Sequence, residues 1–218
     1  MKRDQKVKKM VLLAMLAAIS YMMVSLVRIP IFPAAPFLKY EPKDVIITIG
    51  GFALGPLASF IVSILVSLIE MVTISETGPI GALMNLISTC SFACTAALIY
   101  KKKRTLFGAI LGLAIGAVTM VCTMLLWNWL ITPLYQGVPR DAVAAMLLPI
   151  FLPFNLLKAG LNTAFVLTLY KPLVLTLREA GLVAPQENKR QSKIGVYILA
   201  AGLLITCVVL ILVIRESI

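Results

Sequence analysis

Stretches of about twenty consecutive apolar residues recur along this chain. A run of that length, wound as an α-helix at 1.5 Å per residue, spans the roughly 30 Å hydrocarbon layer of a bilayer. The composition agrees, with 61% of the 218 residues hydrophobic and 13% charged, against about 45–50% and about 25% in soluble domains. Mean hydropathy is +1.01. A soluble enzyme, a disordered tail and a disulfide scaffold are excluded, and no stretch is left for a separate soluble domain.

Proline, glycine and charge punctuate the runs. A basic start (Lys2, Arg3, Lys6, Lys8, Lys9) precedes an apolar span over residues 10–29, which is too long for a signal-peptide core and has no small-residue cleavage site, so it reads as a retained first helix. Pro30, Pro33 and Pro36 forbid helix in the loop that follows. A short second helix is expected over residues 43–54 and, after Gly55-Pro56, a third over 57–74. The fourth runs over 80–100 and is closed by Lys101, Lys102, Lys103 and Arg104; the fifth covers 105–131. A loop over 132–141 leads to a sixth helix over 142–170, and a last apolar run spans 194–214. The expectation is an all-α polytopic membrane protein. Residues 1–177 form a six-helix membrane domain, 178–193 a basic linker, and 194–218 an additional C-terminal transmembrane helix.

Twenty Lys and Arg against nine Asp and Glu give a net charge of +11. In a soluble chain this would suggest nucleic acid, but here the basic residues flank the spans. With the N-terminus in the cytoplasm, fourteen of them fall on inner segments and five (Arg28, Lys39, Lys43, Arg140, Arg215) on outer ones, as the positive-inside rule requires. Lys158 is left over, inside a helix. No histidine is present, which removes His-based catalysis and the common zinc sites. Cys90, Cys94, Cys122 and Cys207 all fall in apolar runs with no accompanying ligand. No phosphate-binding loop is present, and no nucleophile with its base can be assigned.

The remaining polar residues are the informative ones, because ionisable and amide side chains within a span are costly and mark sites. Asn85, Asn128, Asn155, Lys158 and Asn162, with Asp44 and Glu70 near helix ends, all fall in the outer half, whereas the inner half is Ala, Gly, Leu, Ile and Val. That pattern describes a pocket open to the exterior with no polar path through. Asn155, Lys158 and Asn162 share one helical face. The asparagines could instead bond neighbouring helices together, and Lys158 could pair with Asp44 or Glu70. Gly108, Gly112 and Gly116 read as a close-packing face within the chain. Ala14 and Ala18, also four apart, suit either internal packing or a partner surface.

At these residues the chain resembles the substrate-binding S components of energy-coupling factor vitamin transporters, and among them the riboflavin-specific members. The resemblance covers about residues 10–175. It is carried by Phe37-Leu38-Lys39-Tyr40-Glu41-Pro42-Lys43-Asp44, by Gly51-Phe52-Ala53-Leu54-Gly55-Pro56, and by Thr77-Gly78-Pro79-Ile80-Gly81-Ala82-Leu83-Met84-Asn85. Asn128, the segment Pro153-Phe154-Asn155-Leu156-Leu157-Lys158, and the pair Ala14 and Ala18 complete it. It implies a six-helix protein that captures riboflavin as substrate, with no cofactor, and works with a transmembrane coupling subunit and two ATPase subunits. It further implies ligand contacts at Leu38, Lys39, Tyr40, Asp44, Ala82, Asn85, Asn128, Asn155 and Lys158, and a coupling-subunit contact at Ala14 and Ala18. The residue types suit a flavin: an amide such as Asn128 matches the dione edge, Asn155 and Lys158 suit ribityl hydroxyls, and Tyr40 suits the ring system. The family's usual six helices leave the 194–214 run unaccounted for. An S component for another vitamin or small metabolite, an intramembrane lipid-modifying enzyme and a ligand-free scaffold are the alternatives. The amide-dominated outer set speaks against the enzyme, and Lys158 against the scaffold.

Overall fold

The computed structural model describes residues 2–33, 35–179 and 194–217, and within them the chain is almost wholly helical. Helix α1 (Lys2–Leu26) takes in the basic start as well as the apolar span, and ends where Ile29-Pro30 turns extended. Strand β1 (Ile29–Pro30) pairs antiparallel with β2 (Lys39–Tyr40), Ile29 opposite Tyr40, so the proline-rich loop is tied back as a hairpin. Helix α2 (Lys43–Leu54) and α3 (Pro56–Thr73) are separated at Gly55, whose φ of 97° no other residue adopts readily. Pro56 starts α3, where a missing N–H costs nothing.

The fourth span is one rod in three parts: α4 (Gly78–Thr89), a π-helical turn over Cys90–Cys94, and α5 (Thr95–Lys102). Helix α6 (Leu106–Gln136) is capped by Thr105, whose hydroxyl accepts from the Gly108 N–H at 3.1 Å. It passes through Pro133 and stops at Gly137 in the left-handed conformation. The sixth span is α7 (Arg140–Met146), a second π-helical turn over Leu147–Phe151, and α8 (Leu152–Glu179). Pro149 sits in that turn, where the widened winding absorbs its missing donor. Helix α9 (Ile194–Ser217) packs along α8.

Two helices therefore outrun the sequence reading. The segment expected as a loop from residue 132 stays helical through Gln136, because a proline near a helix end removes few bonds. The sixth span begins at Arg140 and continues past residue 170, through Pro172. The basic linker expected over 178–193 lies mostly outside the described residues. Among those described, six helices are long and apolar enough to cross a bilayer, α9 included. The twelve residues of α2 are too few for that and sit inside the bundle, with nine of them buried.

The glycine face of α6 packs within the chain. A Cβ on Gly112 would stand 2.7 Å from the Ala96 carbonyl oxygen, and one on Gly116 2.6 Å from that of Phe92. Bare glycine lets α6 lie directly against the fourth span. At that end of the bundle Phe52, Tyr100 and Tyr170 form an aromatic cluster, and the two tyrosine hydroxyls share a hydrogen bond. Ala14 and Ala18 lie on the exposed face of α1.

Candidate functional site

The amide residues of three separate helices meet at the end of the bundle that carries the hairpin. There a cleft holds about 700 Å³ of space, counting its open mouth, and Asn85, Ser88, Asn128, Asn155 and Lys158 face into it. Leu38 and Lys39 come from the hairpin, with Phe37 beside them. Phe154, Met84 and Met124 supply apolar wall. The mix of apolar wall with a few convergent polar groups is that of a small-molecule site.

Each amide is oriented by its partners. Asn128 donates through Nδ2 to the Met124 carbonyl at 2.7 Å and accepts at Oδ1 from Thr132 at 2.9 Å. Asn155 donates to the Phe151 carbonyl at 2.8 Å, a bond within its own helix that turns its Oδ1 outward. Asn85 donates to Glu70 at 3.1 Å. With one Nδ2 hydrogen engaged in this way, Asn85 and Asn155 each keep a second N–H and a carbonyl oxygen, and Lys158 adds an ammonium.

Lys158 pairs with Asp44, one of the two partners its position left open. Its ammonium lies 3.3 Å from Asp44 Oδ2 and 3.4 Å from the Ser88 hydroxyl, and it borders the cleft as well. An ammonium carries three donors. Asp44 is fully buried and also accepts from Thr89 at 2.6 Å and from Asn162 at 3.2 Å. Asn162 in turn accepts from the Tyr40 hydroxyl at 3.1 Å. Three of the expected ligand residues thus stand behind the cleft wall rather than in it. Tyr40 is held down by Asn162, Asp44 sits a layer below Lys158, and Ala82 is buried in the first turn of α4. The other six, Leu38, Lys39, Asn85, Asn128, Asn155 and Lys158, line the opening.

A second network was not foreseen. Lys43, counted from the sequence as an outer-loop charge, is 1% exposed. Its ammonium lies 2.9 Å from Glu41 and 2.5 Å from Glu70. Glu41 borders the cleft and also pairs with Arg28 at 3.0 Å, while Arg28 reaches the Ile74 carbonyl at 2.9 Å. Burial pushes the Glu41 carboxyl up, but Lys43, Lys158 and Arg28 outweigh it and hold the group below the usual carboxylate range. Burial raises the Tyr40 hydroxyl, with Asp44 and Cys207 adding to the shift. Across the mouth Lys39 donates to Glu76 at 2.6 Å, a bond that lowers the exposed Glu76 carboxyl. The signal in the sequence was Glu41-Pro42-Lys43-Asp44, three charges in four residues. Its meaning depended on α2 turning inward. Ser88 and Met124 could have been found as helical neighbours of Asn85 and Asn128.

Known proteins resemble the chain over most of its length. The family described as "ECF transporter, substrate-specific component" matches residues 8–170. A riboflavin transporter RibU of Staphylococcus aureus is 29% identical over 180 residues, covering 80% of this chain and 94% of that protein. The riboflavin transporter FmnP of Bacillus subtilis is 28% identical over 81% of this chain and 99% of its own length. A solved S component of a bacterial ECF transporter superposes with a TM-score of 0.67 at 27% identity, over 79% of this chain and 99% of that one.

Proposed function

The chain belongs to the substrate-specific components of ECF transporters, and from that premise we propose that its cleft captures riboflavin for uptake. The observation that carries this reading is the convergence of Asn85, Asn128, Asn155 and Lys158 on one cleft in a bundle whose named relatives are riboflavin transporters. The isoalloxazine ring supplies a broad apolar surface for Leu38, Phe154, Met84 and Met124. Its imide N–H needs an acceptor, and its carbonyls and ribityl hydroxyls need donors and acceptors in alternation. The carbonyl oxygens of Asn85 and Asn155, the partnered amide of Asn128 and the ammonium of Lys158 supply that set. Tyr40 and Asp44 act behind them, fixing Lys158 and the hairpin.

The protein is a binding and transport subunit rather than an enzyme, and riboflavin is its substrate rather than its cofactor. Energy comes from two partner ATPases through a transmembrane coupling subunit, which docks on the exposed Ala14 and Ala18 face of α1. The N-terminus is cytoplasmic, which opens the cleft to the exterior, and the net basic charge of the inner segments supports that orientation. The other-vitamin alternative keeps the same site. A lipid-modifying enzyme has no observation in its favour.

The test is a titration of riboflavin against purified protein in detergent. Saturable quenching of flavin fluorescence, without ATP, is the expected result. Saturation by a different vitamin with no flavin quenching overturns the substrate and keeps the family. Ala14→Trp and Ala18→Trp should bind riboflavin like the wild type yet fail in cellular uptake, because a bulky ring stops close helix approach. Lost binding in those variants would place the alanines in the pocket's own support.

A further inference from the structure

Helix α9 lies beyond the 8–170 segment shared with the family, so the shared bundle does not explain it. Its placement is specific. Val196 and Ala200 join the cluster that includes Leu167 and Val174, and Cys207 lies against Gly160. Cys207, Ile211 and Ile214 share one apolar cluster with Phe151, Phe154 and Leu157 of the sixth span and with Ile31, Phe32, Leu38 and Tyr40 of the hairpin. The helix therefore runs antiparallel to α8 and ends behind the hairpin loop. Cys207 is 5% exposed, and a Cβ on Gly160 would meet its sulphur at 2.8 Å and nothing else nearby. That glycine admits α9 to α8.

The loop that α9 backs matters to the cleft. Leu38 and Lys39 border the opening, and Tyr40, next in sequence, ties the hairpin to Asn162 and through it to Asp44 and Lys158. The two-residue β1–β2 ladder is short and its loop holds two prolines, Pro33 and Pro36, so few backbone bonds fix its position. Side-chain bonds at Tyr40 and Glu41 hold its end, and apolar packing holds the turn between the strands. On the side away from α9, α1 packs on α2 and α3, so α9 leaves the Ala14 and Ala18 face clear.

We propose that α9 is a positioning element for the cleft: packed on α8 through the Gly160–Cys207 contact, it holds the 31–40 hairpin against the bundle and slows ligand exchange. This rests on the reading of the cleft as the riboflavin site. The substitution that isolates it is Gly160→Leu in the full chain, because the first atom of the added side chain already meets the Cys207 sulphur of α9. Three readouts belong together. Alkylation of Cys207 by a membrane-permeant maleimide reports whether α9 has moved. Deuterium uptake by peptides spanning residues 31–40, measured without ligand, reports the hairpin. Riboflavin dissociation, followed by recovery of flavin fluorescence, reports the cleft.

The expected result is exposed Cys207, faster exchange over residues 31–40, about tenfold faster dissociation, and unchanged exchange around Tyr100. Should Gly160→Leu not yield monodisperse protein, Cys207→Trp forces the same separation from the α9 side and is read by exchange and dissociation. Displaced α9 with unchanged exchange over 31–40 overturns the proposal. A wild-type chain that does not bind riboflavin removes the substrate reading, and the ligand-free exchange comparison still decides the role of α9.

Discussion

The two ends of the bundle solve the same problem in different ways. Both bury polar groups in a helix bundle where an unpaired donor or acceptor is costly. At the end with Phe52, Tyr100 and Tyr170, the two hydroxyls bond each other inside an aromatic cluster, and glycine brings the helices into direct contact. Neither hydroxyl borders the cleft. At the hairpin end, Lys43 and Asp44, adjacent on α2, each anchor a separate network, and both networks finish at the cleft. The lesson is that the polar groups of one end are closed on themselves, while those of the other are fixed from behind and left with capacity in front. That is the difference between packing and a binding site.

The comparison breaks hardest at Lys43. Lys43→Met leaves Glu41 and Glu70 facing each other in a buried site without their shared cation, and removing one partner of a buried pair costs about 3–5 kcal/mol. A large fall in the thermal midpoint of detergent-solubilised protein is expected, with riboflavin binding weakened too, since Glu70 orients Asn85. An unchanged midpoint would mean the carboxylates are relieved by protonation or water.

Lys158→Met sharpens the contrast. Loss of a charge-assisted bond to the ligand should weaken riboflavin by about one to two decades, from roughly 1.5–3 kcal/mol. Asp44 keeps Thr89 and Asn162 but loses its cation, so a lower thermal midpoint is expected as well and affinity is read on the folded fraction. Asn155→Ala removes a cleft acceptor whose remaining bond is within its own helix, and should cost affinity with little stability. Lumichrome, which lacks the ribityl chain, separates the contributions: if Asn155 and Lys158 serve the ribityl hydroxyls, neither variant discriminates against it. Wild-type affinity in both would make the stripe structural.

The opposite end should behave in reverse. Gly112→Leu forces a side chain against the Ala96 carbonyl, and overpacking of this kind costs about 1–3 kcal/mol. Thermal stability should drop while riboflavin affinity of the folded fraction stays within about twofold. A matching loss of affinity would show that the ends are coupled.

The smallest effect is in pH. The Glu41 carboxyl is held below its ordinary value of 4.5, so its ion pairs contribute stability that is fully present above that value. As pH falls through the lowered value in the folded protein, that contribution is lost. Midpoints should be flat from pH 8 to about 5 and decline below, and Glu41→Gln should flatten part of the decline.

The apolar runs alone dictated helices, their number and their punctuation, because in a bilayer every backbone group must bond within its own segment. Gly55-Pro56 placed a break, and the α2 boundaries followed from local residues. The same reasoning singled out Asn85, Asn128, Asn155 and Lys158, since an amide or ammonium in a span is conspicuous by its cost. Local rules misjudged Pro133, because a helix end could absorb what a proline removes. Only the tertiary structure decided which polar residues face the cleft and which stand behind it. Lys43 and Glu41 look like ordinary loop charges until the twelve-residue α2 is drawn inside the bundle, where their solvation must be replaced by one another. Tyr40 and Asp44 are polar side chains like their neighbours Lys39 and Lys43, but a β-strand and a helix start turn successive side chains in different directions. Depth and direction come from packing among distant segments, and that information is not local to any of them.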